Sequence, residues 1–146
     1  MSHRRALFAV LATVVCFMAP GCGEPLRERI VGTWVLDLEA TKAQPHFKAM
    51  PEEQRSVLFK NLDGMTLEVT LTQNTLSKES SVHMLEGLDQ MKASMNGTYI
   101  VNRAKGNTLV LAVQTSEGMQ RVGIELKDDG RLVLDMDESK NVLRRK

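Results

Sequence analysis

Reactive side chains are sparse in this sequence: two cysteines, Cys16 and Cys22, and three histidines, His3, His46 and His83. A thiolate is both a nucleophile and a metal ligand. Cys16, however, sits inside the uncharged run Ala6 to Met18, and Cys22 directly follows Ala19-Pro20-Gly21. His46 and His83 are 37 positions apart with no paired ligand nearby, so no zinc-type spacing is present. There is no G-x-S-x-G elbow, no phosphate-binding glycine loop and no H-E-x-x-H. The acidic pair Asp128-Asp129 is accounted for by the turn it forms with Gly130, and Asp135, Asp137 and Glu138 by a solvated strand end. These residues imply no turnover: the expectation is a nonenzymatic protein with no cofactor and no metal.

The elements around these residues begin with an export segment. Ser2-His3-Arg4-Arg5 is a short basic start, and the thirteen-residue run behind it is shorter than the roughly 20 residues of a bilayer span, which favours a cleaved leader over a permanent helix. Ala19-Pro20-Gly21-Cys22 resembles the lipobox of bacterial lipoproteins, with Ala19 where leucine is usual and Pro20 where alanine or serine is commoner. That resemblance implies a leader over residues 1–21, a lipid on Cys22, a tether over 22–29 and a folded domain over 30–146, held at a membrane of the cell envelope. The competing reading is an ordinary secretory leader with Cys22 an unpaired thiol. With the leader gone, no disulfide can form, so stability rests on burial in one domain. Taking Arg4 and Arg5 from the 19 basic residues leaves 17 against 18 acidic ones, and no basic field for nucleic acid remains.

The folded part opens on Ile30-Val31-Gly32-Thr33-Trp34-Val35-Leu36-Asp37-Leu38-Glu39, which carries the only tryptophan. Ile30, Gly32, Trp34, Leu36 and Leu38 share one face of an extended strand. Ala40 to His46 reads as a polar connection. A helix is expected from about Pro51 to Leu62, with Glu52 and Glu53 at its positive end and Val57, Leu58 and Leu62 along one side, covering an open end or a flank of a sheet.

From Met65 the chain alternates in short strands separated by turns. Met65, Leu67, Val69 and Leu71 form one clean face, and Leu76 to His83 is the weakest strand, expected to be exposed or an edge. Gly97 to Arg103, Thr108 to Thr115, Gln120 to Lys127, Leu132 to Asp137 and Val142 to Arg145 complete the set, with Asp128-Asp129-Gly130 the strongest hairpin turn. Eight strands joined by tight turns predict an all-β fold, an antiparallel up-and-down barrel with a short helix between its first and second strands. A two-sheet sandwich is the alternative. Met84, Leu88, Met91 and Met95 have a spacing that would line one side of a short helix acting as a lid, while Gly87 and Asn96-Gly97 argue for a plain loop.

Gly32-Thr33-Trp34 on the first strand, the helical insertion, the run of hairpins and an arginine-bearing last strand resemble the lipocalin and fatty-acid-binding protein superfamily. The resemblance implies that Trp34 plugs one end of the barrel, with Gly32 beside it and Arg144 or Arg145 packed over the indole; strand parity does not choose between the arginines. Inward residues of such a barrel would include Leu36, Leu67, Val69, Tyr99, Leu111, Val122, Ile124, Leu134 and Met136, around an apolar ligand cavity or simply filling the interior. Without the leader, only Trp34, Phe47, Phe59 and Tyr99 are aromatic, too few for stacking on sugars or bases. The expected activity is binding or carriage of a small apolar ligand, and the alternative is a packed module that binds or inhibits another protein.

Overall fold

A computed structural model of the chain describes residues 25–82, 91–136 and 139–146. The leader, Cys22, His83, Met84, Leu88 and Asp137 lie outside the described residues. Eight strands close into a barrel in chain order: β1 (Gly32–Leu36), β2 (Met65–Leu71), β3 (Thr75–Val82), β4 (Met91–Lys105), β5 (Thr108–Thr115), β6 (Gly118–Leu126), β7 (Leu132–Met136) and β8 (Ser139–Arg145). Every neighbouring pair is antiparallel, and β8 returns to β1 through Trp34↔Arg145, Val35↔Arg144 and Leu36↔Leu143. The up-and-down barrel expected from the turn spacing is therefore the fold, and the sandwich is not.

Alternation along each strand sets which residues face inward. The register Trp34↔Val69, Leu71↔Leu76, Val101↔Leu111, Leu111↔Val122, Ile124↔Leu134 and Leu132↔Leu143 stacks the apolar rows into one core. Closure leaves no unpaired edge among these strands. This corrects the expectation for Leu76 to His83: β3 is bonded to β2 on one side and β4 on the other. Its polar residues do not mark an edge.

Three further expectations are corrected. The opening strand stops at Leu36, because Asp37 caps a helix α2 (Leu38–Lys42) by accepting from the Ala40 amide at 3.0 Å. Alternation alone continues the strand to Glu39, but an aspartate three residues ahead of a free amide offers the chain a better satisfied helix start. The connection after it is not irregular either, since α3 (Pro45–Lys48) follows before α4 (Glu52–Asp63). Last, Met91 and Met95 are not on a helix; they belong to β4, paired as Val82↔Met91 and Lys78↔Met95. A spacing of four residues is even, so it keeps two positions on one face of a strand as readily as on a helix.

Helix α2 lies against β8 on the flank of the barrel. The Thr41 hydroxyl of α2 is buried and accepts from the Val142 amide at 3.0 Å, while the Asp37 amide donates to the Val142 carbonyl at 2.8 Å, extending the short β1–β8 seam. Arg131, in the β6–β7 turn, meets the Asp37 carboxylate at 3.1 Å. Helix α4 buries no residue and packs through Phe59 on Phe47, edge to face with centroids 5.6 Å apart. Residues Leu26–Arg29, expected within an extended tether, form a helical turn α1 whose Leu26 packs against the core. Among the described residues no helix is long and apolar enough to cross a membrane.

Candidate functional site

The two ends of the barrel differ in chemistry. At one end Trp34 is almost fully buried, and its indole N–H donates to the Ile30 carbonyl at 2.8 Å. The Arg145 guanidinium carbon sits 4.7 Å from the indole ring centroid, and its two terminal nitrogens donate to the Val31 carbonyl at 3.1 Å and the Arg29 carbonyl at 2.6 Å. Arg144 is opposite Val35 on the outward-facing row and exposed. A cation over an indole face, anchored by two carbonyls, closes the floor. Gly32 makes room for it: its φ is +140°, and a Cβ there would come within 2.9 Å of Arg145 Nη1.

Above this floor the interior is filled. Leu67, Val69, Tyr99, Leu111, Val122, Ile124 and Leu134 are each at most 3% exposed, and the Tyr99 hydroxyl donates to the Thr72 carbonyl at 2.6 Å. These seven of the expected inward residues are thus packed core. Leu36 is half-buried near the opposite end, and Met136 is the one residue of that set lining a half-open chamber there.

The chamber, a cavity of about 520 Å³, lies at the far mouth and is lined by Lys78, Ser80, Ala93, Met95, Gln120 and Met136, with the β5–β6 turn Thr115–Glu117 on its rim. Lys78 and Ser80 are in phase with the core residue Leu76 on β3, Ala93 and Met95 with Tyr99 on β4, and Gln120 with Val122 on β6. Lys78 Nζ lies 3.7 Å from Met136 Sδ, its one hydrogen-bond contact among the described residues, and no carboxylate there comes within ion-pair distance. A thioether is a weak acceptor for an ammonium with three protons. Gln120 Oε1 is buried with no hydrogen-bond partner among the described residues. The chamber therefore joins a small apolar group, Ala93, Met95 and Met136, to a largely polar wall with an inward cation and an acceptor unmet among the described residues, a combination suited to holding an amphiphile.

Lys78, Ser80, Ala93 and Gln120 are the chamber-wall residues that sequence reasoning missed. Their signal was phase: each is an even number of residues from an apolar inward neighbour. The polar run Lys78-Glu79-Ser80-Ser81 obscured it, because alternate members face opposite sides. A wider depression of about 990 Å³ runs along the β8–β1–β2–β3–β4 wall, where the outward row Arg144, Val35, Glu68, Glu79 and Ser94 and the inward-phase residues Ser80 and Ala93 both border it. Leu36 and Leu67 border it too, and Lys146 pairs with Glu68 there at 2.9 Å. Ser80 and Ala93 are common to both, so the depression adjoins the chamber; the chamber is the candidate site because it alone holds Lys78 and Gln120. Among the described residues no group of three or more His, Cys, Asp or Glu could hold a metal.

No protein-family model matches the chain, and no curated protein does. Among solved structures the chain is similar to the REP1-NXSQ fatty acid transporter, with 11% identity, 82% of this chain and 97% of that one covered, and a TM-score of 0.33. It is likewise similar to a mutant of the fluorescent protein UnaG, with 19% identity, 81% and 96% coverage, and a TM-score of 0.33.

Proposed function

We propose that this protein binds a small, largely apolar molecule in the mouth of its barrel and catalyses no reaction on it. The observation that carries this reading is the division of the interior into a filled floor and a chamber of about 520 Å³ whose apolar lining is Ala93, Met95 and Met136. Methionines adapt to ligands of different outline, and a chamber in the range of roughly 300 to 1,000 Å³ encloses a small molecule. A neutral fluorescent probe such as Nile red should bind saturably to the full-length protein. Ala93→Trp, which fills the chamber, should weaken that binding at least tenfold while leaving the far-ultraviolet spectrum unchanged. Undiminished binding by the filled variant would sink the reading.

The proposed place of action is the cell envelope, with the chain held to a membrane through lipid on Cys22. Support comes from the residue order at the leader and from α1, where the chain joins the barrel at its plugged end and leaves the mouth at the opposite one. Palmitate labelling should be incorporated by the native chain and processing should be blocked by globomycin; labelling that survives Cys22→Ser would refute the anchor. A second reading, docking of another protein, draws on α4, which leaves Val57 61% and Leu58 37% exposed. Strand β3 does not offer an edge for that role, since it is paired on both sides.

A further inference from the structure

We infer that the ligand is an amphiphile whose polar end carries both an anion and a neighbouring N–H or O–H, of the N-acyl amino acid type, in preference to a plain carboxylic acid; this rests on the mouth chamber being the ligand site. Lys78 and Gln120 face the same chamber from β3 and β6 and leave one another unsatisfied. Lys78 Nζ, with Met136 Sδ as its one hydrogen-bond contact among the described residues, calls for an anionic acceptor. Gln120 Oε1, which has no donor among the described residues, calls for the opposite partner, because an acceptor buried without one carries its full desolvation cost.

A bare carboxylate meets only the first demand. Its lone pairs would face those of Oε1, and its acyl chain brings no proton to offer. A carboxylate one carbon from an amide N–H meets both, with its chain lying along Ala93, Met95 and Met136. Ser80, on the same wall, donates its hydroxyl to the Ala93 carbonyl at 3.4 Å and keeps its lone pairs, so it does not meet the demand of Gln120. Glu117 on the rim adds a negative charge at the entrance, which favours a single anionic group held deep beside Lys78 over a polyanion.

The test displaces Nile red from the full-length protein with four ligands of one chain length, kept below their micelle concentrations. N-decanoylglycine has both groups, N-decanoylsarcosine has a methyl in place of the N–H, N-decanoylglycine methyl ester lacks the charge, and decanoate lacks the amide. N-decanoylglycine should bind about tenfold more tightly than each of the others, the size of one buried polar partner gained. Gln120→Leu should erase the glycine–sarcosine difference alone. Lys78→Met should erase the acid–ester difference alone, and Lys78→Arg should restore it. An unchanged far-ultraviolet spectrum and urea midpoint show that each variant is folded. Equal affinity for the glycine and sarcosine conjugates, or for decanoate, overturns the inference while the mouth remains a ligand site. Failure of Nile red itself to bind overturns the site and the inference with it.

Discussion

Trp34→Ala should cost about 3 to 5 kcal/mol of folding stability, read as a lower midpoint in urea with an unchanged slope. The indole is 1% exposed, donates its N–H to Ile30 and lies under Arg145, so truncation opens a cavity and strands a cation at once. Arg145→Ala should cost less, about 1 to 2 kcal/mol, since the exposed half of the guanidinium loses little and the Val31 and Arg29 carbonyls can turn to water. The two substitutions together should cost less than the sum of each alone, because the second removes a partner already gone. A Trp34→Ala shift below about 1 kcal/mol would mean that the floor closes without the indole. Nile red binding should survive in the folded fraction, as the plug and the chamber occupy opposite ends.

The second large effect is expected at a glycine with ordinary extended backbone. A Cβ on Gly97 would lie 2.5 Å from the Gln114 carbonyl oxygen and 2.7 Å from Val113 Cγ1, so β4 and β5 must separate to admit it. Gly97→Ala should cost about 1 to 3 kcal/mol through overpacking. Gly106→Asn is the control: φ there is +56°, nothing lies within 4 Å of a Cβ, and asparagine tolerates that region, so stability should change by less than about 1 kcal/mol. Chemical denaturation of both variants ranks them; a Gly97→Ala loss no greater than that of Gly106→Asn would show that the strands yield freely. Because Gly97 is two residues from Met95, separation at this point should also loosen the mouth and weaken probe binding.

Fold and site were legible to different degrees, for reasons visible in single residues. Met65, Leu67, Val69 and Leu71 alternate without interruption, and Asp128-Asp129-Gly130 specifies its hairpin with Gly130 at φ +82°. Such local signals summed to the correct strand order. The error at Asp37 arose where two local rules competed and the capping bond won. The error at Met91 and Met95 arose because a four-residue interval is common to both periodicities, and only pairing with β3 separates them. The choice between Arg144 and Arg145 needed the β1–β8 register, which no pattern within β8 contains.

By itself the chain's order of apolar and polar residues determined an antiparallel eight-stranded barrel with Trp34 at its start, because period-two alternation and turn chemistry act over a few residues. Which inward residues would be solid core, and which would wall a chamber, was decided only by tertiary structure. Leu111 and Met136 are alike in pattern, yet one lies at mid-barrel and the other beside Lys78 at the mouth. That difference is set by the stagger of strands around a closed barrel, a property of all eight together. The same stagger brings Gln120 to the chamber wall shared with Lys78, 42 residues away in the chain, and gives two unremarkable polar side chains a common ligand to serve.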